Sequence, residues 1–236
     1  MNARYEELDW SSTAMGEIVL RRRREPVVDR DIFEVKLGDE FLMSSLFTVA
    51  EIELARLGLS VLDGASLSVL VGGLGLGYTA QAALADDRVA SMVVVEAIEP
   101  VIEWHRRRLL PETAGLADDS RCDLVHDDFF ERLDRSEPDS QLYDAVLLDI
   151  DHSPRHVLSP DHAEFYTPAG LRRLSNALKP NGVFALWSDD PPDAAFEEVL
   201  GAVFDECESH VVAFANPLTG GESANTVYLG RHRTPA

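Results

Sequence analysis

Val69-Leu70-Val71-Gly72-Gly73-Leu74-Gly75-Leu76-Gly77-Tyr78 sets the frame for reading the rest of the chain. Its first residues form a short apolar run with no polar alternation, as in a strand buried on both faces. Glycines then cluster, and a helical pattern follows over residues 78–85. Strand, glycine-rich turn and helix in that order let the backbone approach a ligand closely, because glycine has no Cβ and accepts left-handed conformations. Gly73, Gly75 and Gly77, with Leu76 between them, are therefore candidate cofactor-binding positions. Glu96 ends the next apolar run, 92–96, about 20 residues on, where a carboxylate can accept hydrogen bonds from both ribose hydroxyls. Asp127 and Asp128 follow a weaker run at 123–125, where a side chain can meet an adenine amino group. Asp128 also suits the N-cap of a helix beginning at Phe129.

Working outward, strands and helices alternate. A helix is predicted over 98–110, a strong strand over 143–149, a helix over 168–178, a strand over 183–187 and a helix over 193–204. Such alternation implies parallel strands joined by right-handed crossovers. The last two apolar runs, 208–214 and 225–229, have only the turn-forming stretch 216–221 between them, so they are predicted to form an antiparallel hairpin. Toward the N-terminus, strands are predicted at 17–23, 31–37 and 41–43, then a helix over 48–57 stopped by Gly58. The chain is thus divided into a β-rich extension with a linking helix, 1–60, and an α/β domain, 61–236. The basic run Arg21-Arg22-Arg23-Arg24 is expected on an exposed or edge strand, which charge protects from pairing.

Composition narrows the function. The 236 residues include 21 Lys and Arg against 42 Asp and Glu, a net charge of −21. Such a surface repels phosphate backbones, so a nucleic-acid partner is not expected, whereas a small cationic molecule is electrostatically welcome. No apolar run reaches the roughly 18 residues that span a bilayer. Residues 1–10 lack a secretory core, so no membrane is expected and the expected location is the cytoplasm. Cys122 and Cys207 have no partner at zinc spacing and are read as buried thiols. His105, His126, His156 and His162 are expected at the surface, and no metal site is predicted.

The chain resembles the spermidine synthase family, the polyamine aminopropyltransferases within the class I S-adenosylmethionine-dependent methyltransferase superfamily. The resemblance rests on Gly38-Asp39-Glu40-Phe41, the glycine loop, Glu96, Asp149, Glu164-Phe165-Tyr166 and Leu178-Lys179-Pro180-Asn181-Gly182, and it covers residues 15–230. It implies a Rossmann-like methyltransferase fold: a mostly parallel seven-stranded sheet with a terminal antiparallel hairpin. It also implies an S-adenosylmethionine or decarboxylated S-adenosylmethionine ligand, an amine acceptor and a possible homodimer.

In that family a catalytic aspartate follows the fourth strand in an Asp-Ser-x-Asp-Pro pattern. Here the stretch is Asp149-Ile150-Asp151-His152-Ser153-Pro154, so Asp149 is the catalytic candidate and His152 a second base. Asp151, Tyr166 and Trp187 are candidates for binding the acceptor, and Met43 and Ser44 for covering the donor. Two departures bear on the reaction. The family's glycine loop carries an aspartate for the donor ammonium where this chain has Leu76, and the family's Tyr-His-Glu is set against Met43-Ser44-Ser45. Leucine at 76 removes a charge that would repel the carboxylate of intact S-adenosylmethionine. The expectation is therefore methyl transfer, with aminopropyl transfer and a catalytically silent adenosyl-binding protein as alternatives.

Overall fold

The computed structural model describes residues 5–135 and 141–232. Four strands, β1 (Tyr5–Thr13), β2 (Gly16–Glu25), β3 (Arg30–Leu37) and β4 (Glu40–Ser44), form an antiparallel sheet in sequential order. Helix α1 (Val49–Ser60) leads into β5 (Leu67–Gly72), α2 (Tyr78–Leu84), β6 (Val89–Glu96), α3 (Glu99–Arg106), β7 (Cys122–His126) and α4 (Phe129–Asp134). The chain continues through β8 (Tyr143–Leu148), α5 (Pro168–Ser175), β9 (Leu178–Ser188) and α6 (Ala194–Gly201) to β10 (Glu206–Asn216) and β11 (Gly221–Arg231). The larger sheet runs β10-β11-β9-β8-β5-β6-β7. Strands β5 to β9 pair in parallel and β11 pairs antiparallel to both β9 and β10. This is the seven-stranded, mostly parallel sheet with a terminal hairpin expected from the sequence.

Period-two packing explains why both faces of this sheet are covered. Val69, Val71, Val94, Leu147 and Ala185 point into a core shared with α1, α2, α3 and the N-terminal sheet. Their neighbours Leu70, Val95, Val146, Leu148, Phe184 and Leu186 point into a second core against α4, α5 and α6. Strands with two buried faces read as continuous apolar runs, as these do. Chain order reverses between β5 and β8, and this switch point leaves a crevice at the carboxyl ends of the strands.

Several local expectations are corrected. Gly58 does not stop α1, which continues to Ser60; a Cβ there would lie 2.8 Å from Leu147 Cδ2 and 3.2 Å from the Ala185 Cβ. The glycine lets the helix lie close against the sheet. The arginine run lies on β2, an inner strand paired on both sides, and its charges are met across the ladder. Arg21 and Arg23 both reach Glu34, at 2.6 and 2.5 Å, while Arg22 pairs with Glu6 and Arg24 with Asp29. Strand β1, absent from the sequence expectation, covers that side. The helix predicted over 98–110 ends at Arg106, and Arg108 then turns through a positive φ of 56°. Cys207 is exposed and Cys122 only half-buried, so neither is a core thiol. Among the described residues, no helix is long and apolar enough to cross a membrane.

Candidate active site

A cavity of about 580 Å³ opens at the switch point between β5 and β8. Its floor is the glycine loop, whose Gly73, Gly75 and Gly77 have φ of 90°, 47° and 88°. The first of these is required by packing as well as by its dihedral. A Cβ on Gly73 would sit 2.1 Å from the Asp149 carbonyl oxygen, so only glycine lets the two strand ends approach. At Gly75 a Cβ would meet Met43 Sδ at 2.6 Å. Met43 lies over the loop and accepts a hydrogen bond from the Leu76 N–H at 3.3 Å. His105, expected at the surface, is 1 % exposed and braces the loop from beneath, its Nε2 2.9 Å from the Gly75 carbonyl. Thr113 Oγ1 donates to the Leu76 carbonyl at 2.9 Å.

Glu96 lies on the cavity wall at the end of β6 and is almost wholly buried. It accepts hydrogen bonds from the backbone N–H groups of Leu74 at 3.0 Å, Gly75 at 3.4 Å and Ile98 at 2.9 Å. Burial raises its pKa, and those donors act in the opposite direction. These backbone donors tie Glu96 to the glycine loop at the cavity wall. The two aspartates after β7 separate. Asp128 lines the cavity and caps α4, accepting from the Glu131 N–H at 2.9 Å. Asp127 is off the wall, its carboxylate held by Arg135 at 2.5 Å and Arg132 at 3.5 Å. Burial would raise Asp127, but the arginine contacts win and hold it below the usual carboxylate range. Asp127 is therefore an anchor for α4, and of the two aspartates only Asp128 is on the cavity wall.

Asp149 directly follows β8 and reaches the cavity. Its N–H bonds the Gly72 carbonyl at 2.8 Å, and its Oδ2 accepts from Thr79 Oγ1 at 2.7 Å. Burial pushes its pKa up to about 6, despite the opposing Thr79 bond. His152 is also on the wall, with Nε2 3.0 Å from Glu40 Oε1 of β4. Asp151 and Tyr166, predicted to meet the acceptor, do not reach the cavity. Asp151 is 1 % exposed and accepts from the Leu158 N–H at 2.7 Å and from the Tyr166 hydroxyl at 2.8 Å, with His162 Nδ1 at 2.8 Å. A buried carboxylate is tolerated when it is fully partnered. Here it ties the 150–166 loop together, and its partner His162, expected at the surface, is buried and lines the cavity. Trp187 does line the cavity, from the end of β9; among the described residues its buried Nε1 has no hydrogen-bond partner.

Four wall elements were missed. Glu51, in the first turn of α1, lines the cavity beside Asp149. Burial first, then the charges of Asp149 and Asp189, push its pKa up to about 8. Asp189, weighed only as a solvated turn or a cation attractor, is on the wall and accepts from Asn225 Nδ2 at 2.6 Å. Asp190 turns away, accepting from Ser153 Oγ at 2.7 Å with His156 at 3.1 Å. Phe47, between β4 and α1, and Phe214 of β10 close the outer side, with ring centroids 5.8 Å apart. The carboxylates on the wall are Glu51, Glu96, Asp128, Asp149 and Asp189; among the described residues no lysine or arginine is on it.

Comparison with known proteins agrees with this frame. Residues 54–199 match the family model of the spermine/spermidine synthase domain. Polyamine aminopropyltransferase 2 of Pseudomonas aeruginosa is 32% identical over 152 residues, 60% of this chain and 41% of that protein. The polyamine aminopropyltransferase of Bacillus subtilis is 32% identical over 123 residues, 52% of this chain and 41% of that protein. The match therefore spans about two fifths of each relative's length. Two solved structures share the fold with a TM-score of 0.73 at 19% identity, each over 95% of this chain. One is a spermidine synthase in complex with the transition-state analogue AdoDATO, covered over 73% of its length, and the other is the spermidine synthase of Thermotoga maritima, covered over 72%. The expectation of methyl transfer is overturned, because both relatives are aminopropyltransferases. The physical error lay in judging donor charge from position 76 alone, when the carboxylates of Glu51 and Asp189 come from elsewhere in the chain.

Proposed function

The chain belongs to the spermine/spermidine synthase family, and on that footing we propose that it transfers an aminopropyl group from decarboxylated S-adenosylmethionine to an amine acceptor. The observation that carries this is the charge of the cavity wall, with carboxylates and neither lysine nor arginine among the described residues. Such a wall repels the α-carboxylate of intact S-adenosylmethionine and attracts a donor that ends in an ammonium. The glycine loop fits a nucleoside: its positive-φ glycines turn the backbone along the cavity floor, and Glu96 and Asp128 line the same cavity.

The donor supplies a carbon activated by its sulfonium, so that the acceptor nitrogen forms a C–N bond as the C–S bond breaks and its electron pair leaves on sulfur. The protein's part is positioning and proton transfer. Holding nitrogen and carbon in line accounts for most of the acceleration such sites achieve. An alkylamine is protonated near neutral pH, with a pKa of about 10.4 in water, and attacks only when neutral. Asp149 is suited to take the proton, since its raised pKa makes it a stronger base than a solvated carboxylate while leaving it ionised above about 6. Thr79 fixes one of its oxygens and so orients the other. Glu51 and Asp189 balance cationic charge on donor and acceptor.

Paired calorimetric titrations test the assignment. Decarboxylated S-adenosylmethionine is expected to bind at least tenfold tighter than S-adenosylmethionine, about 1.4 kcal/mol. Equal affinity, or a preference for the carboxylate form, would sink aminopropyl transfer. Glu96→Gln is expected to weaken the same donor about ten- to hundredfold, since it replaces a charged acceptor and turns an NH2 group toward the loop N–H groups. Unchanged affinity in a folded variant would remove Glu96 from the nucleoside site.

A further inference from the structure

Resting on the aminopropyl-transfer reading, we infer that His162 selects the base of the donor: buried Asp151 holds it in one tautomer, and its free ring nitrogen accepts a hydrogen from the 6-amino group of adenine. His162 is 9 % exposed and lines the cavity, although it belongs to the loop after β8 and not to the glycine loop. Its Nδ1 lies 2.8 Å from Asp151 Oδ1. The Asp151 carboxylate also accepts from the Leu158 N–H at 2.7 Å and from the Tyr166 hydroxyl at 2.8 Å, so it is fully partnered where it is buried. A carboxylate can only accept from Nδ1, so the neutral imidazole carries its hydrogen there and keeps a lone pair on Nε2. Among the described residues Nε2 has no hydrogen-bond partner. Phe130 lies against the ring, with centroids 4.2 Å apart. The imidazole is thus oriented from two sides, and one polar atom of a buried side chain is left for a ligand.

The two faces of the sheet say which part of the donor comes to His162. Glu51 is carried by α1, which packs in the first core, and Asp149 and Asp189 are close enough to act on it by their charge. That side suits the ammonium of the donor. Phe130 packs against the second core, on the other face, and His162 lies against Phe130. A donor with its ammonium toward Glu51 places its base here, beyond Glu96. Phe130 and Leu158 offer apolar contact to a flat ring, and the polar side chains beside them, Asp128 and His162, both present acceptors. Adenine meets acceptors with the two hydrogens of its 6-amino group. A 6-oxo base turns a lone pair toward the lone pair on Nε2, and leaves a buried acceptor unpaired. A site built to bond one such group rejects an analogue that lacks it far more strongly than an apolar pocket can.

The test titrates methylthioadenosine, the nucleoside product, and its 6-oxo analogue methylthioinosine into the intact chain by calorimetry. The wild type is expected to prefer methylthioadenosine by about a hundredfold or more. His162→Leu keeps an apolar side chain against Phe130 and removes the acceptor. It is expected to weaken methylthioadenosine about tenfold and methylthioinosine less than about threefold, because only the first uses Nε2. His162→Gln can turn its amide oxygen to the base and is expected to recover most of the preference. Asp151→Asn acts without touching the ligand: an amide facing Nδ1 lets the imidazole carry its hydrogen on Nε2, and the ratio is expected to move toward methylthioinosine about tenfold. Equal losses of both nucleosides in His162→Leu, or an unchanged preference, would make His162 a structural part of the loop and overturn the inference. The aminopropyl reading is judged apart from it, by the preference for decarboxylated S-adenosylmethionine over S-adenosylmethionine. That preference with no discrimination between the two bases would sink the role of His162 alone, and a wild type that binds neither nucleoside would sink both.

Discussion

Asp149→Asn is expected to lower turnover by about 10²–10⁴-fold while leaving donor affinity within about threefold, the range associated with losing a general base. Asparagine keeps the shape of the side chain and can still accept the Thr79 hydroxyl, which lies 2.7 Å from Asp149 Oδ2. The backbone bond from position 149 to Gly72, 2.8 Å long, is unaffected, so the glycine loop should hold. What the variant loses is a group that can receive the amine proton. Single-turnover release of methylthioadenosine separates this chemical step from binding. The wild-type rate should rise with pH through about 6, where Asp149 ionises. The variant should lose that limb and keep only the rise set by deprotonation of the amine itself. A variant with wild-type turnover and an unchanged pH profile would reduce Asp149 to an anchor for the strand end.

How much of this site was legible follows from how local each signal is. Gly73, Glu96 and Asp149 sit at strand ends of a sheet whose alternation is plain, so their positions in the crevice follow from topology. Glu51 gave no such signal. An acid in the first turn of a helix is ordinary, because it complements the helix dipole. Only the fold reveals that α1 lies against the sheet end and that Glu51 faces Asp149. Phe47 and Phe214 meet across 167 residues of chain, a pairing that no local pattern encodes. The opposite error occurred at Asp151 and Tyr166. Their closeness to a strand end suggested a substrate role, but sequence spacing could not reveal that they bond each other, with Asp151 also held by His162, and stay off the cavity wall. The arginine run failed in the same way, because the strand that covers its edge, β1, is mostly polar and exposed and carries little hydrophobic signal.

Glu51→Gln is expected to act in opposite directions on stability and on binding, which makes it the sharpest test of the acidic cavity wall. In the ligand-free protein Glu51 titrates at about 8, against an ordinary value of 4.5. The folded state therefore holds this proton more tightly than the unfolded chain does. The group's contribution to stability is complete below about 4.5 and is lost as pH rises through about 8. Asp149, raised from 3.8 to about 6, adds a loss of the same sign over a lower range. A tenfold difference in proton affinity between the folded and unfolded chain is worth about 1.4 kcal/mol, so the rise from 4.5 to about 8 places on the order of 5 kcal/mol on Glu51 at pH 9. Glutamine has no charge to desolvate. The variant's Tm should thus match the wild type at pH 4 and exceed it by about 10–20 °C at pH 9, at roughly 2–4 °C per kcal/mol for a chain of this size. A cationic donor reverses the balance, because it supplies the counter-charge that the ionised glutamate lacks. Decarboxylated S-adenosylmethionine should accordingly bind the variant about tenfold or more weakly at pH 8, while methylthioadenosine, which has no ammonium, should bind both proteins alike. Thermal melts across pH, read beside titrations of these two ligands, decide the matter. Equal Tm at pH 9 would mean that the Glu51 carboxyl is solvated. Equal loss of both ligands would mean that the substitution disturbs the nucleoside site and not the charge of the cavity wall.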